Sequence, residues 1–233
     1  MRCRYDLVLF DLDGTLVDSA PEIADAVNDT LAELGLPAEP LERVQAWIGN
    51  GTGVLLLRAL AAGWGKTLDE VRADPAVAGV AARFDRHYAA RCGSRSSVYP
   101  RARELLAALR ADGVRLAVLT NKEARYTRAL LDAHGLRPLL DLVVSGDTLP
   151  VRKPDPAMAR YCIDWFSAST PRTLLVGDSA IDAATARNAG IAGWLLPHGY
   201  NGGVAVAQAG ADRVVADFGA LHALLLPEVA LSA

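Results

Sequence analysis

Five short apolar runs recur along this chain, at 7–10, 114–119, 141–145, 173–176 and 192–196. Polar residues and then a stretch with helical spacing follow each run, except that a loop follows the last. The runs are short and mainly apolar, without the regular alternation of a strand that faces water on one side. They read as strands buried on both faces. Strand and helix in strict alternation predict an α/β fold, a doubly wound parallel sheet with helices on both faces. Right-handed crossovers then bring every strand-to-helix loop to one edge. The residues that end these strands or follow them are Asp11-Leu12-Asp13-Gly14-Thr15, Thr120-Asn121, Lys153-Pro154-Asp155-Pro156 and Gly177-Asp178-Ser179. They should converge at the carboxyl edge, where open α/β sheets bind ligands.

Between the first strand and about Cys92 the chain is Ala-rich and helical, with no convincing strand. Ser19 is placed to cap a helix with Pro21 in its first turn. Ile23, Ala26, Val27, Thr30, Leu31 and Leu34 follow at helical spacing, and Gly35 stops it. Further candidate helices are 41–48, 52–62, 67–73 and 76–91. This stretch predicts a helical cap inserted above the carboxyl edge, residues 17–93. The sheet domain, a Rossmann-like core, then takes residues 1–16 and 94–233, with helices near 101–111, 123–133, 156–167 and 180–189 and a weak final strand–helix unit. A chain of 233 residues that is 52% hydrophobic has room for both cores.

The net charge of −3 comes without a basic block, which argues against nucleic acid as a partner. No apolar run approaches a membrane span, and the first residues lack a signal-peptide cleavage region. Cys3, Cys92 and Cys162 are widely spaced and form no disulfide pattern, so a reduced cytoplasmic setting is expected. His87, His134, His198 and His222 are isolated, and no Cys/His cluster suggests zinc. Of 24 basic residues only Lys66, Lys122 and Lys153 are lysines. Retained lysines in an arginine-preferring chain draw attention, because ammonium and guanidinium differ in shape and hydration.

Asp11, Asp13 and Asp178 would meet at the sheet edge as three carboxylates. Two such charges about 4 Å apart repel by roughly 4 kcal/mol at an effective dielectric of 20, so the cluster needs a cation or a proton. All-oxygen ligands favour Mg2+. Asp182 lies four residues beyond Asp178 at a helix start, where it can orient Asp178 or serve the helix dipole. Thr120 and Asn121 can hold phosphate oxygens through a hydroxyl and backbone N–H groups. Lys153 can set a point charge beside a carboxylate nucleophile, on backbone stiffened by Pro154 and Pro156.

In order and context, DLDGT, LTN, KPDP and GDSAID resemble the haloacid dehalogenase superfamily of phosphotransferases, over essentially the whole chain. The resemblance implies that Asp11 attacks phosphorus to form an aspartyl-phosphate. Asp13, buried beside other acids, would protonate the leaving alkoxide and later activate water. Mg2+ would bind Asp11, the backbone carbonyl of Asp13, and Asp178. Thr120, Lys153 and the Asn121 backbone would stabilise the phosphoryl oxygens. The second acid favours a phosphatase or phosphomutase over a transporter that stores phosphoenzyme.

Within that superfamily, DLDGTLVDS, WIGNG, LTNK, KPDP, VGDS and HGYN are similar to the bacterial phosphoglycolate phosphatase branch. This implies a small anionic phosphate ester, 2-phosphoglycolate first, as substrate. A sugar phosphate, a nucleotide, pyrophosphate, a phosphomutase reaction, or a non-catalytic binding protein on the same fold stay open. Asn50, Arg58 and Lys122 are candidates to meet the substrate's carboxylate. Gly49–Gly53 does not supply a dinucleotide fingerprint, since the preceding segment reads as helix.

Overall fold

The computed structural model describes residues 3–227. Residues 1–2 and 228–233, which the expected core domain also includes, lie outside the described residues. The strands are β1 (Leu7–Phe10), β2 (Val17–Asp18), β3 (Ser97–Val98), β4 (Arg115–Leu119), β5 (Leu142–Val144), β6 (Thr173–Gly177), β7 (Ala192–Leu195) and β8 (Arg213–Val214). The α-helices in the first half are α1 (Ala20–Glu33), α2 (Leu41–Gln45), α3 (Thr52–Trp64), α4 (Leu68–Ala73) and α5 (Val80–Arg91). Those in the second half are α6 (Ala102–Ala111), α7 (Ala124–Ala133), α8 (Ala157–Phe166), α9 (Ala180–Ala189) and α10 (Phe218–Leu225).

Six strands form one parallel sheet in the order β5-β4-β1-β6-β7-β8. From β1 the chain winds outward through β4 and β5, then returns to the other side of β1 and winds outward again through β6, β7 and β8. The reversal makes a crevice at the carboxyl end of β1, the place where such sheets bind ligands.

Burial on both faces explains the apolar runs. Val8 and Phe10 of β1 pack with Leu105 and Leu109 of α6, Leu130 of α7 and Leu221 of α10. Leu7 and Leu9 point the other way, onto Met158 and Cys162 of α8 and Ala186 of α9. Successive side chains of one strand thus fill two different cores, and neither can be polar.

The five helices α1 to α5 build a separate core. Ile23, Val27 and Leu31 of α1, Leu56 and Leu60 of α3, and Val80, Phe84 and Tyr88 of α5 are its buried centre. Tyr126 of α7 joins this cluster from the sheet side, and its hydroxyl donates to Asp85 of α5 at 2.6 Å. The helical unit is therefore seated on the sheet unit by contact as well as by two chain crossings.

Those crossings hold an element that the sequence reading left out. β2 and β3 pair antiparallel, Val17 with Val98 and Asp18 with Ser97. Two residues per strand carry no readable periodicity, and their partner lies about eighty residues away. The expected helix 41–48 is α-helical only to Gln45. The expected helix 76–91 is a 3-10 turn, Pro75–Val77, followed by α5 from Val80, with Gly79 at φ 81° between them. Ser19 occupies the cap position of α1, but its hydroxyl makes no capping bond and donates instead to Asp13.

Candidate active site

Parallel pairing fixes the first half of the site. Phe10 lies opposite Val118 of β4 and Val176 of β6, and the Asp11 N–H donates to the Val176 carbonyl at 2.9 Å. One step further, Asp11 stands between the ends of its two neighbours, Thr120 beyond β4 and Asp178 beyond β6. The chain then turns sharply, with the N–H groups of Leu16 and Val17 both on the Leu12 carbonyl at 3.0 Å. Gly14 sits in this turn at φ 85°, and a Cβ there would reach to 2.5 Å from an Asp178 oxygen. Both the backbone angle and the close approach require glycine. A Cβ on Gly199 would likewise collide with the Asp178 carboxylate, so the 197–201 loop lies directly on the site.

Asp11, Asp178 and Asp182 each place one carboxylate oxygen within 4.8 Å of the others. The Lys153 ammonium lies 2.6 Å from Asp11 and 2.7 Å from Asp182. Burial pushes the Asp11 carboxyl up to about 7, against the pull of Lys153 and with a further push from Asp182. Asp178 is held well above the usual carboxylate range by burial, then by Asp182 and Asp11. The Tyr200 N–H and the Thr15 hydroxyl, the latter at 2.9 Å, donate to Asp178 and oppose that shift. Burial works against the Lys153 charge, yet the two carboxylates outweigh it and raise the amine above its ordinary value.

One ammonium among three buried carboxylates leaves negative charge uncompensated. An all-oxygen donor set with that excess fits a hard divalent cation such as Mg2+. Asp11 and Asp178 are the candidates to hold it, although each already has partners: Lys153 on Asp11, and the Thr15 hydroxyl and Tyr200 N–H on Asp178. Asp182 is committed: one oxygen takes Lys153, and the other takes the Ser179 hydroxyl at 2.9 Å and the Ser179 N–H at 3.2 Å. It starts α9 and braces Lys153 at once, a contact that neither sequence reading of Asp182 included.

Asn121 fixes Lys153 in a way that the sequence did not reveal. Its side-chain carbonyl accepts the Lys153 N–H at 2.8 Å, and its amide donates to the Lys153 carbonyl at 3.0 Å. The same amide donates to the Gly49 carbonyl of the helical unit at 2.9 Å. The Lys153–Pro154 peptide bond is cis. Thr120 is buried at the end of β4, and its hydroxyl accepts the Lys122 N–H at 3.2 Å.

The acid that joins Asp11 and Asp178 in the cluster is Asp182, not the expected Asp13. Ser19 donates to Asp13 at 2.5 Å, and the Lys122 ammonium lies 3.0 and 3.2 Å from its two oxygens. Lys122 also donates to the Tyr88 hydroxyl at 2.6 Å. Burial, then the nearby Asp13 carboxylate, hold the Tyr88 phenol well above its usual range, so it stays neutral.

A cavity opens between these groups and the helical unit. Asp11, Asp13, Thr120, Asn121 and Lys122 form its floor. Ile23, Ile48, Leu55, Phe84 and Tyr88 form a mostly apolar roof, with Thr52 as a polar exception. Two of the three candidate substrate readers are elsewhere. Arg58 donates to the Trp47 carbonyl at 3.1 Å and is not part of the cavity wall. Gly49 and Gly51 line the wall, and Asn50 between them does not. α3 turns Leu55 and Leu56 inward, which carries Arg58 off that face. Lys122 does reach the cavity, with its charge already paired.

Tyr200, which the sequence reading left undecided, ties the two units together. Its hydroxyl accepts the N–H groups of Ser19 and Ala20, both at 2.9 Å, and donates to Asp18. It thereby takes the capping role at α1 that was expected of the Ser19 side chain. Glu22 was also missed; an acid in a first helical turn reads as an ordinary dipole partner.

This fold and carboxylate arrangement define a class, and comparison with known proteins agrees. A model of the family described as haloacid dehalogenase-like hydrolase matches residues 5–190. The chain belongs to the haloacid dehalogenase-like hydrolase family. It is 44% identical over 220 residues to "phosphoglycolate phosphatase, plasmid" of Cupriavidus necator, covering 94% of this chain and 93% of that one. It is 46% identical to the phosphoglycolate phosphatase of Rhodospirillum rubrum, covering 92% and 88%. The crystal structure of a predicted phosphoglycolate phosphatase from Haemophilus somnus superposes with a TM-score of 0.86 at 35% identity, covering 94% and 96%.

Proposed function

We propose that this protein is a Mg2+-dependent phosphomonoesterase that hydrolyses 2-phosphoglycolate to glycolate and phosphate through an aspartyl-phosphate on Asp11. The observation that carries the proposal is the cluster of Asp11, Asp178 and Asp182 around Lys153 at the carboxyl end of β1. The naming of the relatives supports the substrate.

Asp11 and Asp178 would hold Mg2+, which supplies positive charge to the phosphoryl oxygens and to the attacking carboxylate. Asp11 attacks phosphorus and takes the phosphoryl group onto its carboxylate. Lys153, fixed from one side by Asp182 and from the other by Asn121, offers its ammonium to the equatorial oxygens as charge spreads over them. The Thr120 hydroxyl and the backbone beyond β4 add donors. Asp13 gives its proton to the leaving alkoxide, then takes one from the water that opens the acyl phosphate. Residues 17–93 act as a cap over the reacting groups, on the sheet domain of residues 1–16 and 94–233. No helix among the described residues is long and apolar enough to cross a membrane, and three free cysteines support a reducing, cytoplasmic setting.

A screen of phosphate esters with purified protein and Mg2+ tests the substrate. Phosphoglycolate is expected to give the highest kcat/KM. A sugar phosphate, nucleotide or pyrophosphate well above it overturns the substrate, and no hydrolysis of any ester revives the binding-protein reading.

A further inference from the structure

We infer that Tyr88, on the cap helix α5, is a positioning residue for proton transfer: its hydroxyl holds the Lys122 ammonium against Asp13. This rests on the reading of Asp13 as the acid that protonates the leaving group.

The ring of Tyr88 has an evident structural job. It packs 5.4 Å from the Phe84 ring and 4.6 Å from the Tyr126 ring, in the centre of the cap core. A phenylalanine would serve that packing equally well. A phenol in such a place costs desolvation unless its oxygen is fully bonded. Here it is bonded on both sides. It accepts from Lys122 at 2.6 Å and faces a Glu22 oxygen at 3.4 Å, to which it donates.

Glu22 is itself fully buried and anchored. It accepts the Gly93 N–H at 2.9 and 3.1 Å and the Arg95 N–H at 3.3 Å. Gly93 and Arg95 lie where the chain leaves α5 and crosses back toward β3. One unbroken series of polar contacts therefore runs from the chain crossing through Glu22, Tyr88 and Lys122 to Asp13.

The consequence lies in Lys122. An ammonium on a four-carbon stem has many rotamers, and one carboxylate does not select among them. The phenol is its second anchor, and the ammonium also sits over the Tyr88 ring, 4.7 Å from the centroid. Two anchors, the Tyr88 hydroxyl and the Asp13 carboxylate, hold the nitrogen, and the nitrogen contacts both oxygens of Asp13. Because one anchor belongs to the cap and the other to the sheet domain, the proton-transfer carboxylate is fully ordered only with the cap seated.

Tyr88→Phe keeps the ring and removes the anchor. The test compares two small substrates that differ in leaving group. Glycolate alkoxide must be protonated as it leaves; the acetate of acetyl phosphate leaves without a proton. In single-turnover phosphoryl transfer, Tyr88→Phe is expected to slow reaction with phosphoglycolate about 10-fold, with KM and the acetyl phosphate rate within about twofold. Equal losses on both substrates, or no loss on phosphoglycolate, overturn the inference. Asp13→Asn runs beside it. If that variant fails to single out phosphoglycolate, the acid assignment falls and the Tyr88 inference falls with it. If Asp13→Asn discriminates and Tyr88→Phe does not, only the Tyr88 inference fails. Should Tyr88→Phe not fold, Glu22→Gln decides in the same assay, with a smaller loss of about threefold expected on phosphoglycolate alone.

Discussion

Asp11 and Asp13 are two residues apart and their side chains are equally accessible, 12% each. Their surroundings are nevertheless opposite. Asp11 shares one ammonium with Asp182, has Asp178 close by, and is supported wholly from the sheet domain. Asp13 has an ammonium to itself, a serine from the chain crossing, and a cap tyrosine behind the ammonium. Position in sequence and depth of burial do not separate the two acids; the neighbours delivered by Gly14 and the turn after Leu12 do. The half proposed to handle phosphorus gathers three carboxylates around one ammonium. The half proposed to handle protons pairs one carboxylate with one ammonium and draws on both the sheet unit and the helical unit.

The largest effects should come from breaking the phosphorus half. Asp11→Asn is expected to lower kcat by about 10⁴-fold or more with the fold intact by circular dichroism, since nothing else can carry the phosphoryl group. Asp13→Asn should cost about 10²- to 10⁴-fold on alkyl phosphates, the range for a lost general acid.

The comparison also predicts unequal stability costs. Lys153→Met leaves two buried carboxylates without their cation and should lower stability by about 3–5 kcal/mol in denaturant titration. Lys122→Met strands only one carboxylate, which keeps its serine, and should cost less. Equal costs would mean that the two halves are not electrostatically distinct.

The raised Asp11 value fixes a sign. An acid whose folded value of about 7 exceeds its ordinary 3.8 favours the folded state while protonated. Its contribution is present below about pH 4 and is lost as pH rises through 7, at up to about 1.4 kcal/mol per pH unit. In chelator, Tm should therefore fall across this window, and Mg2+ should restore it at pH 8; a flat profile would refute the assignment. The smallest effect is expected for Arg58→Ala, a change in KM within about twofold, because its guanidinium serves the Trp47 carbonyl.

The sheet and its order of elements were legible because the inner strands fill two cores and are mainly apolar on both faces. The carboxylates were legible because they stand at strand ends in a fixed order. Illegible were contacts joining distant segments. The β2–β3 ribbon is two residues long, and Tyr88 and Glu22 look like an ordinary core aromatic and helix-start acid until α1 and α5 are packed together. Arg58 and Asn50 misled because a cap face cannot be read from composition; the rotation of α3 decides it. Asp13 was expected in the acid cluster, but Asp182 completes that cluster, and the Asp13 carboxylate takes Lys122 and Ser19 as its partners.

The direct test of the division between Asp11 and Asp13 is rapid acid quench of the Asp13→Asn variant with radiolabelled acetyl phosphate. This substrate needs no acid to phosphorylate the enzyme, and the missing base should leave the intermediate standing. The expected result is one acid-stable, alkali-labile phosphate per protein, on the peptide containing Asp11, absent from Asp11→Asn. No covalent label, or label on another residue, would contradict the account.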